Sequence, residues 1–217
     1  MAQSSPRWTP ADPMAEAQLS SLYARFSDRW HRDITRLGYP SAYDELIARL
    51  PETSQPSTVL DAGCGTGALA QAWLKTGQPY SVLTLLDTSQ EMLMQARRNL
   101  AHVPKIVSLN AALGSSEIQP NTCDLVLSAH VIEHLDTPES GLSWFAQCLR
   151  PGGQVALSVS KPHWCTALVR WRWGHKAFTP NQVQSMLTAA GFVDIRALPF
   201  SKGPPSRTSY GYIATRA

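Results

Sequence analysis

The 217-residue chain is 43% apolar and 16% charged, with a formal net charge of +3. These values read as a soluble globular protein with one domain's worth of core. The lack of any run of about 18 apolar residues argues against a membrane span, and the lack of a Lys/Arg block argues against a nucleic-acid-binding arm.

The opening stretch MAQSSPRWTPADPM has no apolar segment of the secretory type, so a cytoplasmic location is expected. Its Pro and Ser content reads as a flexible lead over residues 1–17. A helix is expected over 18–35, with Leu19, Leu22, Tyr23, Phe26 and Trp30 on one side. A second is expected over 41–50, where Tyr43, Leu46, Ile47 and Leu50 keep helical spacing, Ser41 and Asp44 fit a capping box, and Pro51 ends the run. From residue 57 the rhythm changes. STVLDAG (57–63), YSVLTLLD (80–87), KIVSL (105–109), CDLVLSA (123–129) and QVALSVS (154–160) read as strands. Between them lie helical stretches at 66–77, at 89–101 behind a Thr88/Glu91 capping box, and at 138–149 behind Thr137. Thr179, Pro180 and Gln182 open a last helix that closes at Gly191, and VDIRALPF and SYGYIATR are expected to pair as antiparallel strands. Alternation of this kind implies an α/β fold, a parallel sheet with helices on both faces. Ligands of such sheets bind beyond the carboxyl ends of the strands. Asp61 to Gly67, Asp87, Asn110 and Ser128 to His130 all fall there.

DAGCGTGALA places glycines at 63, 65 and 67, with Ala68 following. Gly63-x-Gly65-x-x-Ala68 satisfies the dinucleotide fingerprint, and Asp87 stands near the distance of a ribose-binding acid. An NAD-dependent oxidoreductase is therefore one reading, and a nucleotide-binding module without catalysis is another. Asp61 separates these from a third. A pyrophosphate would sit at the helix N-terminus just after the glycine turn, where the Asp61 carboxylate would repel it. S-adenosylmethionine has no phosphate; its ammonium and sulfonium are cationic, so the same carboxylate favours it.

VLDAGCGTG, LLDTSQEML, CDLVLSAHVIEHL and LRPGGQVALSV resemble, in order, four motifs of the class I S-adenosylmethionine-dependent methyltransferases, of the small-molecule type, across residues 57–160. The resemblance implies a single methyltransferase domain over 1–217: a Rossmann-like, doubly wound, mostly parallel sheet of about seven strands with a final antiparallel strand. It implies S-adenosyl-L-methionine as cofactor, held by Asp61, Gly63, Cys64, Gly65, Gly67, Asp87, Thr88, Met92, Asn110, Ala111, Ser128 and Ala129. Asp87 would take the ribose hydroxyls. The family often has an acid before alanine where Asn110-Ala111 stands; asparagine offers the adenine amino group its side-chain oxygen instead.

HVIEH (130–134) also matches the H-x-x-E-H zinc-peptidase signature. That signature belongs on a long helix, whereas here it follows a strand and precedes Asp136 and Pro138. Some methyltransferases carry E-x-x-E-H at this place and bind a divalent ion; His130/Glu133/His134 would suit a softer ion such as zinc, which leaves a metal-assisted O-methyltransferase as a further alternative. No metal is expected, and Glu133 and His134 are read as hydrogen-bonding groups of a turn. His130, nearest the strand end, is expected to face the substrate as a general base or an orienting group.

Specificity in such enzymes lies outside the motifs. The helical cap at 18–50 offers Tyr23, expected to close over the methyl donor, and Trp30. The segment KPHWCTALVRWRWGHKAF (161–178) reads as a flap, with three of the seven tryptophans in ten residues beside Arg170, Arg172, His175 and Lys176. Trp164, Trp171 and Arg172 are its candidates for an aromatic, anionic or amphiphilic small-molecule acceptor. The four cysteines show no C-x-x-C spacing and read as free thiols.

Overall fold

The computed structural model describes residues 27–163 and 176–217. Seven strands form one sheet in the order β3-β2-β1-β4-β5-β7-β6. Here β1 is Ser57–Ala62, β2 Tyr80–Asp87, β3 Ile106–Asn110, β4 Cys123–Ala129, β5 Leu149–Ser160, β6 Phe192–Pro199 and β7 Ser209–Arg216. Strands β1 to β5 pair in parallel. Strand β7 runs antiparallel to both β5 and β6, between them. The sheet is thus Rossmann-like with one reversed strand, as expected.

Its central strands are mostly apolar because both faces are covered. On one face Val59, Leu83, Leu85 and Leu127 pack against helices α2 (Tyr39–Ile47), α3 (Ala68–Leu74) and α4 (Gln90–Asn99). On the other, Leu60, Val126 and Val155 pack against α5 (Pro138–Cys148) and α6 (Pro180–Ala189). The chain crosses from one face to the other between β1 and β4, so a crevice opens at their carboxyl ends.

Several boundaries differ from expectation. Helix α1 spans Ser27–Arg36, and the earlier part of the expected 18–35 helix lies outside the described residues. Helix α2 begins at Tyr39, with Gly38 at φ 86 as its N-cap and no side-chain cap. Ser41 therefore does not cap it: Pro40 already fits the first turn, which draws the start upstream. The cap of α4 is Ser89, whose Oγ accepts the Met92 N–H at 3.2 Å; Thr88 is left in the turn after β2. Strand β5 starts at Leu149, pairs with Cys123, and passes an irregularity before resuming at Gln154 opposite Leu125. A short helix, α7 (Pro205–Thr208), stands unforeseen between β6 and β7. The capping box at Thr179 and Gln182 is present. Among the described residues no helix is long and apolar enough to cross a membrane.

Trp73 anchors α3 to the sheet: it is 1% exposed and meets Tyr80 edge-on with ring centroids 5.6 Å apart. Trp73→Ala is expected to cost about 3–5 kcal/mol, measured by urea unfolding; a loss below about 1 kcal/mol would show that α3 draws its place from elsewhere.

Candidate active site

The crevice is a half-open cleft at the carboxyl ends of β1, β2 and β4. The glycine turn after β1 forms its floor. Gly63 and Cys64 donate their N–H groups to Leu86 O at 2.8 and 2.9 Å, and Gly67 closes the turn on Cys64 O at 2.8 Å. Gly63 lies at φ 69, and a Cβ there would overlap Val131. Gly65 lies at φ 52 with open space where a Cβ would be, so conformation alone demands glycine there. Gly67 is outside the cleft lining and packs against Ala96 of α4 and Leu100 just after it.

Two carboxylates flank this turn. Asp87, at the end of β2, accepts the Gly65 N–H on Oδ2 at 2.8 Å and the Ser89 N–H on Oδ1 at 2.9 Å. Burial pushes its pKa up, and the amides of Ser89, Gly65 and Thr88 offset part of that. Asp61, at the end of β1, is 1% exposed and accepts the Ala70 N–H at 3.1 Å, one of the orphan donors of the first turn of α3. Burial pushes Asp61 up to about 7, against the Ala70 hydrogen bond and with help from Asp87. The Cys64 thiol is pushed far up by burial and by Asp87 and Asp61, so it stays protonated and is no nucleophile.

Of the other residues expected to hold a cofactor, Thr88, Met92, Ala111 and Ala129 line the cleft. Ser128 and Asn110 do not. Ser128 Oγ donates to Ala62 O at 2.8 Å and ties β4 to β1. Asn110 Nδ2 donates to Asp87 O and Thr88 O at 3.0 and 2.9 Å, leaving Oδ1 as its acceptor. The cleft also gathers Ile34, Tyr43, Thr66, Leu113, Val131 and Leu135. Leu113, Val131 and Leu135 stand in the connections after β3 and β4, where their position alone could have flagged them. Ile34 and Tyr43 come from the amino-terminal helices and carry no local signal.

HVIEH is not a helix with two histidines on one face. His130 follows β4 at φ 57, and only Ile132–His134 form one turn of 3-10 helix. His130 and His134 line the cleft, whereas Glu133 is buried beneath it. Among the described residues no three His, Cys, Asp or Glu side chains converge as a metal site would require. The His130 ring meets Tyr39 edge-on at 5.0 Å. Tyr23, Trp164, Trp171 and Arg172 lie outside the described residues, as does the side chain of Trp30.

Residues 60–157 match the family model described as a methyltransferase domain. That match marks the central part of the chain as similar to a methyltransferase domain. It is 29% identical over 149 residues to a malonyl-[acyl-carrier protein] O-methyltransferase of Enterobacter lignolyticus, covering 68% of this chain and 55% of that protein. It is 33% identical over 140 residues to a trans-aconitate 2-methyltransferase of Methylobacterium nodulans, covering 64% and 48%. The chain thus spans about half the length of these relatives. Among solved structures, a Thermotoga maritima methyltransferase described as a possible histamine N-methyltransferase superposes with a TM-score of 0.71 at 17% identity, over 92% of this chain and 100% of that one. A Haemonchus contortus phosphoethanolamine N-methyltransferase 2 in complex with S-adenosyl-L-methionine superposes at 0.68 and 15% identity, over 89% and 60%. At these identities the likeness is one of fold.

The raised pKa of Asp61 has a consequence for stability. Between the usual carboxylate value of 3.8 and about 7, the folded chain keeps a proton that the unfolded chain releases. Stability therefore falls as pH rises through that window and levels off above it. Asp61→Asn keeps an acceptor for Ala70 and cannot ionise. The variant is expected to match the parent in thermal melting near pH 4 and to exceed it near pH 8. A parent-minus-variant difference that does not change with pH would mean Asp61 is not the titrating group.

Proposed function

We propose that the protein transfers the methyl group of S-adenosylmethionine to a small-molecule acceptor. The carrying observation is the pair of buried or half-buried carboxylates, Asp61 and Asp87, at the glycine turn within one cleft. Such a pair disfavours a pyrophosphate and favours a ligand with cationic groups. The family match supports the same reading over the NAD-dependent oxidoreductase.

The bound cofactor would supply an electrophilic methyl group on a positively charged sulfur. The residues of this chain do the rest. Asp87 accepts the ribose hydroxyls on lone pairs left free by its two amide bonds. Asp61 offers charge to the methionyl ammonium, and Met92 and Ala111 give apolar surface. Gly63, Cys64, Gly65 and Thr88 shape the backbone around it. Alignment of acceptor and methyl carbon, with water excluded, is the main contribution to rate. The acceptor side is assigned to His130 and, from the cap and flap, to Tyr23, Trp30, Trp164, Trp171 and Arg172. In this reading 18–50 is the cap, 57–160 the cofactor core, 161–178 the flap and 179–217 the closing helix and strand pair.

Isothermal titration separates this reading from a dinucleotide enzyme: S-adenosylhomocysteine is expected to bind and NAD is not. Binding of NAD alone would end it. Charge-assisted hydrogen bonds contribute about 1.5–3 kcal/mol each, so Asp87→Ala is expected to weaken S-adenosylhomocysteine by at least about tenfold. An unchanged dissociation constant in a folded variant would remove Asp87 from the site.

A further inference from the structure

Charge is divided unevenly along the chain. Residues 161–217 hold eight Lys and Arg and one acid, Asp194, whereas residues 1–160 hold eleven and fifteen. Asp194 follows Val193 near the start of β6, at the opposite end of the sheet from the cleft. Four of the eight cations stand in connections at the cleft end: Lys161 and Lys176 between β5 and α6, and Lys202 and Arg207 between β6 and β7. A rim lined by one sign of charge raises the local concentration of ligands of the other sign.

Two of these cations are held in place, and neither by a carboxylate. Lys161 follows β5 directly. Its N–H donates to Thr208 O at 2.8 Å and its Nζ to Ser206 O at 2.9 Å, with Nζ 4.5 Å from the centroid of the Tyr210 ring. Burial pushes its pKa down, with no acid offsetting that. Lys176 donates its N–H to Glu133 O at 3.1 Å, and its Nζ to the carbonyls of Leu135 and Asp136 at 2.8 and 2.7 Å. Among the described residues, neither ammonium has a carboxylate within ion-pair reach. Glu45, the acid beside the β6–β7 connection, accepts the N–H and hydroxyl of Ser201 at 3.1 and 2.9 Å. Residues 162–175 contain no Asp or Glu and so bring no counter-charge. Carbonyl anchors fix where the two charges stand without neutralising them. An ammonium has three donors; Nζ of Lys161 uses one and that of Lys176 two, so each keeps at least one. Both lysines adjoin the cleft wall. Ser160, just before Lys161, has its Oγ 3.0 Å from Nδ1 of the cleft-lining His130, and Leu135, whose carbonyl holds Lys176, lines the cleft itself.

We propose that Lys161 and Lys176 receive an anionic group of the methyl acceptor, which is therefore a small molecule bearing a carboxylate or a phosphate; this rests on the methyltransferase reading above. The acids Asp61 and Asp87 meet the cationic cofactor on one side of the cleft, and the two lysines meet the anionic acceptor on the other. Charge thus directs each ligand to its own side and disfavours the reverse arrangement.

The test gives the full chain radiolabelled S-adenosylmethionine and acceptors in matched sets, one skeleton carrying a carboxylate, a phosphate ester, a carboxamide or an amine. For the anionic members kcat/KM is expected to exceed that of the carboxamide by at least about tenfold, and the carboxylate and phosphate arms show which anion is taken. Lys161→Gln and Lys176→Gln should each raise the KM of the anionic acceptor by about tenfold, with the affinity for S-adenosylhomocysteine unchanged. Lys161→Arg keeps the charge and should stay closer to the parent than Lys161→Gln. Equal kcat/KM for the carboxamide, transfer to none of the anionic members, or an unchanged KM in either Gln variant overturns the proposal. Should Lys161→Gln fail to fold, Lys176→Gln, at an exposed position, decides alone. Failure of the parent chain to bind S-adenosylhomocysteine would instead sink the methyltransferase reading itself.

Discussion

The cleft depends on one carboxylate. Asp87 ends β2, and its two oxygens hold the amides of Gly65 and Ser89. One bond pins the glycine turn that follows the neighbouring strand; the other starts α4. A single side chain thereby sets the spacing between β1's loop and β2's loop, the two walls between which a nucleoside would lie. Because both bonds go to backbone groups, they survive most side-chain changes nearby, and they keep the carboxylate aimed at the cleft before any ligand arrives. Such preorganisation would lower the cost of binding the proposed cofactor.

Asp61 shows the opposite side of the same design. It is buried, has one amide for company, and is pushed up to about 7. A fold optimised for stability alone would place an apolar residue there, as it does at Val59 on the same face. Ionising Asp61 therefore costs the fold stability, a cost that the proposed cationic ligand would offset.

Register carries these effects across the sheet. Val59, Leu60 and Asp61 of β1 stand opposite Leu83, Thr84 and Leu85 on one side and Leu125, Val126 and Leu127 on the other. Asp61, Asp87 and His130 are therefore brought to one crevice from three separate strand ends. A slip of one residue in any strand would turn its acid or histidine to the other face. The apolar runs of β1, β2 and β4 resist such slips because both faces are buried.

The sequence alone determined the alternation of strands and helices, the reversed strand near the end, the glycine turn, and the acids Asp61 and Asp87 at two neighbouring strand ends. These are local: they follow from apolar runs, turn residues and charge within a few positions of each other. Tertiary structure alone decided what joins across the chain. Tyr39 against His130, Ser158 and Ser160 against the same ring, and Ile34 and Tyr43 in the cleft wall come from segments far apart in sequence, with no periodicity to link them. The same holds for HVIEH. Its spacing matched a zinc-peptidase signature, but the left-handed backbone at His130 and the short turn after it bury Glu133 and leave the two histidines at the cleft. Spacing in sequence becomes geometry only after the backbone is known.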